Sequence, residues 1–526
     1  GSPGYDSDLC FLYRLLGPGM AGPVAMRSLM MKQRWGFCGE NAELCLGNAR
    51  AAWKDVQAAA EEAYDRSDAC SFTSFVGYEW TGSVGNGFNL HRNVIFRNEK
   101  VPGLPSNWID TRSAMHHWEQ LQQQCVDGIA GCDAITIPHN SNLSGNGLMF
   151  ETATLARAED AGGEVTRTEA ELRQRWEPLV EIMQHKGDSE CLLGGDTTDE
   201  ACGFEKLPYD SFAGAAISRS AGTAALAPPE PPKRSAMVRE GLKKGLALER
   251  ELGVNPLKYG IIASTDTHLG TPGLVAENDG KGHGGAGRPA VAGAPPALPD
   301  NIENNPGGLA VVWAEENTRD SIFSALQRRE TYGTSGPRHV VRLFGGWEYE
   351  AAMCEGNDFA EQGYAGGVPL GGDLPGRGDA PAPRFAVSAL ADPGTDRSPG
   401  APLQRIQIVK GWIDEKGGVH EKVFDVAGGD NGASVDTSTC ERRGDGAQTL
   451  CSVWADPEFD PGEGAFYYAR VLENPSCRWS QHLCVAAGVD CRNPETVTPG
   501  FAPCCAEDHQ PTVQERAWTS PIWYRP

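Results

Sequence analysis

Basic residues are scarce in this chain: 46 Lys and Arg stand against 70 Asp and Glu, a formal net charge of −24. Gripping a nucleic-acid backbone takes clustered Lys and Arg, so nucleic acid is not an expected partner. The acidic balance fits a soluble, cation-binding protein instead. No apolar run approaches the roughly 20 residues that cross a bilayer, and the stretch around Phe11 to Leu16 is too short. HExxH, GxSxG and Walker A motifs are all missing. GHGGAG, from Gly282 to Gly287, matches GxGxxG in form only. It follows no strand and leads into Arg288-Pro289 instead of a helix, so it reads as a loop.

No CxxC pair occurs among the 16 cysteines, which argues against zinc ribbons and thioredoxin-like redox chemistry. The cysteines favour disulfides and hence an oxidising compartment, periplasmic or extracellular. Their grouping agrees: Cys125 lies near Cys132, Cys191 near Cys202 and Cys440 near Cys451, while Cys477, Cys484, Cys491, Cys504 and Cys505 crowd the C-terminus. An exported protein starts with a signal peptide, yet this chain opens GSPGYDSDLC. The expectation is that the signal segment has been removed or that the sequence starts late.

A chain of 526 residues exceeds one ordinary core, so two or three domains are expected. Helical spacing of Ala49, Trp53, Val56, Ala60 and Ala63 gives the first long helix one packing face. Strands follow at SFVGYEW, at LHRNVIFRN with His91, Asn93 and Ile95 on one face, and at DAITIPHNSN, with a helix from Trp108 to Cys125 before the last. Thr168 and Glu171 form a capping box for a helix ending at Trp176. LVEIMQ is a strand, Ser235 to Leu252 a helix, and Tyr259 to Ala263 a strand. GLAVVWAEE and a helix begun by Thr318 complete the alternating series, which implies a mostly parallel sheet or a barrel. Long insertions run from Ser144 to Gly163, Thr197 to Lys233 and Gly270 to Gly308. Beyond Pro337 strands and turns dominate and no helix is expected. The chain is therefore divided into an α/β domain, 1–338, and an all-β, sandwich-like domain, 339–526.

The polar residues fall at strand ends. Glu79 ends one strand, His91 opens the next, His139 follows a third, and Asp266 and His268 follow a fourth in STDTH. The C-terminal strand ends of α/β barrels form the active-site rim. Imidazole and carboxylate together suit Zn, Mn or Fe. Arg92, Lys186 and Arg338 are candidate contacts for a substrate anion, although a solvated surface charge explains each more simply. Asn140, with Asn142 and Asn146, lines the pocket or makes turns. His117 is placed at the core edge or in solvent. His185, beside Glu181 and Gln184, reads as a support or surface residue rather than a ligand.

FVGYEWTG, NLHRNVIFRN, IPHNSN, VEIMQHKGDSEC, IIASTDTH, NTRDSIFSALQRRETYGTSGPR and QERAWTSPIWY resemble a bacterial branch of the PHP superfamily, the polymerase and histidinol phosphatase group of metal-dependent phosphoesterases. That branch is a domain of unknown function, and the resemblance runs over nearly the whole chain. It implies a distorted (β/α) barrel with two or three divalent metals and a metal-activated water attacking a phosphoryl or similar ester. Glu79 would match the bridging carboxylate, His91 and His139 imidazole ligands, and Asp266 with His268 the closing pair. Asp266 would also orient or deprotonate the water.

The superfamily opens with an HxH motif, and this chain has none; no histidine precedes His91. The first strands of the barrel are therefore expected to be missing, either cleaved, outside this sequence, or supplied by a partner chain or a second copy. Two functions are expected: a metal-dependent hydrolase acting on a small-molecule or polymer ester, or a non-catalytic binding or assembly protein with an incomplete metal site.

Overall fold

The computed structural model describes residues 5, 7–16, 27, 31–195, 197–214, 230–268, 270, 272–279, 302–378, 380–396 and 398–526. The GHGGAG stretch and parts of the insertions at 197–233 and 270–308 lie outside the described residues.

Helix α1 (Glu43–Ala63) buries Trp53 and Ala60 of its expected stripe but leaves Val56 exposed. Strands β1 (Gly77–Trp80), β2 (Arg92–Phe96) and β3 (Ala134–Pro138) form one sheet in that order, with α2 (Ala114–Leu121) between the last two. Both pairings are antiparallel. The mostly parallel sheet expected from the alternation is thus absent here. β1 reaches β2 through the glycine-rich turn Gly82–Gly87 and a short excursion, which reverses the chain as a hairpin does.

Helix α3 (Arg167–Trp176) is capped by Thr166, whose side chain accepts from the Glu169 amide, so the cap lies two residues before the expected Thr168. The second sheet holds β4 (Leu179–Gln184), β5 (Gly187–Asp188) and β6 (Gly260–Ala263). β4 and β6 run parallel, joined through α4 (Val238–Leu252), the crossover that parallel pairing requires. β7 (Leu309–Val312) and α5 (Arg319–Arg328, capped by Thr318) follow as expected, and β8 (Thr331–Thr334) is a further strand that the sequence reading did not include.

Two larger sheets complete the molecule. The first uses β9 (Val340–Gly346), β10 (Gly367–Pro369), β11 (Arg384–Leu390) and, later in the chain, Thr449–Ala455, in the order β10-β9-β11-(449–455). The second contains β12 (Leu403–Ile413), β13 (Val419–Gly428), β14 (Gly464–Glu473), β15 (Arg516–Thr519) and β16 (Ile522–Tyr524). Its order is β13-β12-β14-β15-β8-β7, with β16 also on β14. Leu343, Phe385 and Val387 from one sheet share a core with Ile406, Ile408 and Tyr467 from the other. The larger sheet draws strands from both sides of residue 338, because β8 pairs with β15. A second cluster joins Val180, Ile182 and Ile261 to Phe466, Trp518 and Trp523. Contrary to expectation, helices occur after residue 338, at Phe359–Gly366 and Trp479–Ala486.

Among the described residues seven disulfides are formed. Cys125–Cys132 and Cys191–Cys202 join the neighbours grouped from the sequence. Cys440 and Cys451 do not pair with each other: Cys440 takes Cys477 and Cys451 takes Cys354. Cys70 is free. No described helix is long and apolar enough to cross a membrane.

Candidate metal centre

Antiparallel pairing brings the end of one strand beside the start of the next, and this gathers the first three ligand candidates. Trp80 lies opposite Arg92, and Arg92 opposite Pro138. Glu79, His91 and His139 therefore meet at one sheet edge. Glu79 Oε1 lies 2.7 Å from His91 Nδ1 and 3.7 Å from His139 Nε2. Asn89 holds the two histidine segments together: its Oδ1 accepts from the His91 amide at 2.6 Å, while Nδ2 donates to the carbonyls of His139 and Asn140 at 3.0 and 3.2 Å. Phe212 stacks on His91 with ring centres 5.2 Å apart, closing that side.

The parallel pair β4 and β6 ends at the same place. Asp266 follows β6 with φ of 50° and Asn140 follows β3 with φ of 53°. Left-handed backbone at residues other than glycine costs on the order of 1 kcal/mol each and gathers at functional sites. Gln184 at the end of β4 donates to Asn140 Oδ1 and, at 2.8 Å, to Asp266 Oδ2. Lys186 Nζ pairs with the same Oδ2. Two donors thus fix one oxygen of Asp266 and leave the other less engaged. His268 Nδ1 lies 2.9 Å from the Asp266 carbonyl.

The ligand atoms of Glu79, His91 and His139 all lie within 4.8 Å of one another, and so do those of Glu79, Asp266 and His268. All five residues expected at a metal site fall into two triads with Glu79 in common. Cys191, Asp199 and Cys202 also cluster, but both sulfurs are spent in a disulfide.

Burial alone would raise the Glu79 carboxyl, yet the imidazoles of His91 and His139 outweigh it and hold it well below the usual range. Burial lowers His91. Burial acts on His139 too, but the Glu79 carboxylate prevails and pushes it up to about 9. Without metal, the proton facing Glu79 therefore belongs on His139. Burial likewise opposes Asp266, but Lys186, then His139 and His185, keep its carboxyl low. Glu181 is pushed up to about 7 by burial, with His139 opposing and Asp266 adding to the rise. Ser264 Oγ donates to Glu181 Oε2.

The donor set fits a divalent ion. Bonds of about 2.1 Å at tetrahedral angles separate two ligand atoms by roughly 3.4 Å, and the 2.7 and 3.7 Å seen here bracket that spacing.

Not every site candidate joins this cluster. Arg92 is buried with its Nε 2.8 Å from Glu177 and an Nη on the Leu90 carbonyl, so it is neither a surface charge nor free for an anion. Lys186 is also buried, within the site. Arg338 is exposed on the β-sheet side, where its amide donates to Asp392. Asn140 lines the site through Gln184. His117 is fully buried against Trp80, not at an edge. His185 is buried beside the Thr265 carbonyl, 2.6 Å away. Sequence reading missed Asn89, Gln184 and Phe212. The only signal for the first two was their position one or two residues from a ligand or a strand end, and Phe212 arrives on an irregular insertion.

A family model described as Protein of unknown function (DUF3604) matches residues 24–526. No curated protein and no solved structure matches.

Proposed function

The chain belongs to the DUF3604 family of proteins of unknown function, and from that premise we propose that it is a metal-dependent hydrolase, most simply a phosphoesterase of PHP type. The observation that carries this reading is the pair of ligand triads sharing Glu79. A carboxylate common to two sites holds two cations close together while offsetting their repulsion. When bound, divalent ions lower the pKa of water to about 7 and neutralise charge on an ester oxygen.

The chain's own residues supply the rest. With Glu79, His91 and His139 would hold one ion, and Asp266 and His268 would hold the other. Gln184 and Lys186 hold Asp266 through one carboxylate oxygen, and the other would be left to serve a metal or to orient a water. Asn89 fixes the spacing of the two imidazole segments, and Phe212 shields His91 from solvent. Zn, Mn or Fe suits this mixed set, and a small-molecule or polymer ester is the substrate class. The parallel β4–β6 pair and ligands at strand ends support a distorted (β/α) barrel of PHP type as the framework. Seven disulfides support a periplasmic or extracellular setting.

Elemental analysis of the purified protein incubated with Zn, Mn or Fe tests the proposal, with bis(p-nitrophenyl) phosphate as the ester. Metal is expected to bind, and Glu79→Gln to lose it at both positions, with turnover falling about 100-fold or more. Metal content and turnover both unchanged in Glu79→Gln would overturn it. Metal retained without turnover on any phosphoester would point to the binding protein instead.

A further inference from the structure

Far along the chain from the candidate site, a lysine and an aspartate meet between the two large sheets. Lys410 lies on β12 two residues after Ile408 and so on the same face, with Tyr467 of β14 as its cross-strand partner. Asp456 comes from the other layer, directly after the strand Thr449–Ala455. Lys410 Nζ is 2.6 Å from Asp456 Oδ2, and the two side chains expose 3% and 0% of their surface. Both carboxylate oxygens are held: Tyr467 Oη donates to Oδ2 at 2.8 Å and the Glu458 amide donates to Oδ1 at 2.9 Å. Nζ in turn donates to the Glu458 carbonyl at 2.8 Å. Aromatic rings close the surroundings, with Phe385 packed on Tyr467 at 4.4 Å between centres and the Trp412 ring centre 5.0 Å from Nζ.

This enclosure sets the pair apart. Among the described residues the other buried lysines face carboxylates that water still reaches: Lys186 meets Asp266 at 17% exposure, Lys243 meets Glu421 at 10%, and Lys258 meets Asp373 at 48%. An ion pair withdrawn from water on both sides carries a desolvation cost of several kcal/mol per ion, which its own attraction offsets only in part. Condensation to an amide removes both charges together. The dry surroundings also oppose the reverse step, because hydrolysis needs a water at the same carbon.

We propose that Lys410 and Asp456 are a self-modification site, at which the folded chain joins them in an intramolecular amide bond that staples the two sheets. A proton passes from the Lys410 ammonium to Asp456 Oδ2 within the contact, leaving an amine beside a carboxylic acid. The amine nitrogen attacks Cγ, and the charge that develops on Oδ1 falls on the Glu458 amide already donating to it. Tyr467 Oη passes a second proton to Oδ2 and regains one from the nitrogen, so that the Cγ–Oδ2 bond breaks and water leaves. The ammonium and carboxylate become one amide and one water, with no oxidant, metal or co-reactant. Oδ1 remains as the amide oxygen on the Glu458 N–H. This cross-link goes beyond the hydrolase reading and does not depend on it.

Mass spectrometry of the full-length protein, purified folded with its disulfides intact and then denatured and reduced, tests it. The intact mass is expected to lie about 18 Da, one water, below that of the sequence. Trypsin does not cut after an acylated lysine, so the digest is expected to hold one branched peptide joining residues 406–416 to residues 444–470. Lys410→Arg keeps the positive charge but cannot form this amide, and it is expected to return the full mass and the linear 444–470 peptide. A wild type at full sequence mass, with residues 406–410 recovered as a linear peptide ending at Lys410, overturns the proposal and leaves the pair a plain buried ion pair. A deficit that persists in Lys410→Arg, or a branch at any other lysine, overturns it as well.

Discussion

Glu79 and Glu190 are both partly or wholly withdrawn from water, yet their surroundings assign them different work. Around Glu79 the partners are imidazoles, which exchange a proton or a metal readily. Around Glu190 the partners are fixed donors: Arg239 at 2.6 Å, Arg470 at 3.0 and 3.1 Å, Tyr468 Oη at 2.7 Å and Trp518 Nε1 at 2.7 Å. Asp199 binds the same two arginines, at 2.9 and 2.8 Å, and Glu421 meets Arg239 and Lys243. Three acidic and three basic side chains thus balance in a buried network, and Glu190 is held well below its usual range because both arginines offset the cost of burial. Glu190→Gln leaves a guanidinium uncompensated, and a loss of about 3–5 kcal/mol in urea unfolding is expected. A loss below about 1 kcal/mol would mean that water or a rearranged Asp199 replaces the carboxylate. None of this network was legible in VEIMQHKGDSEC, because Glu190 meets its arginines only after distant segments pack. The five ligand candidates were legible because each sits at the end of a short apolar run.

At the scale of the element, the strands carrying the ligands were readable from length and apolar content, but their direction was not. A strand followed by a helix is consistent with either sense until the return path is known, and β2 to β3 turns out antiparallel despite the intervening α2. The start of α3 shows a related ambiguity. In TRTEAE both Thr166–Glu169 and Thr168–Glu171 fit the capping-box spacing, and sequence alone does not choose between them. The structure chooses Thr166, whose side chain accepts from the Glu169 amide, while Glu169 itself turns inward to Thr152 and the Ala153 amide. Thr166→Ala is therefore expected to cost about 1 kcal/mol and Thr168→Ala much less. Thermal unfolding of the two variants side by side checks this, and equal losses would return the cap to Thr168.

The whole molecule is where local signals end, since the change of composition near Arg338 is real but does not separate two folding units. β8, on the early side, pairs through Tyr332, Gly333 and Thr334 with Thr519, Trp518 and Ala517 on the late side. Ile261 of β6 donates its amide to Ser520 Oγ at 2.8 Å, so the strand before the ligand loop also leans on the C-terminus. The core around Val180 and Ile261 is completed by Phe466, Trp518 and Trp523. Pairings between strands so far apart leave no periodic trace in either segment, and the same holds for Cys354–Cys451, which spans 97 residues. A chain cut at residue 338 would expose one edge of β8 and strip aromatic cover from β4 and β6. Unpaired edges and open apolar cores drive association. Residues 1–338 expressed alone are thus expected to aggregate or to lack fixed tertiary structure, seen as void-volume elution and a flat near-ultraviolet dichroism spectrum. A monomeric fragment with cooperative unfolding would restore a domain boundary at 338. If that fragment also bound metal through Glu79, the site would owe nothing to the strands that close the sheet.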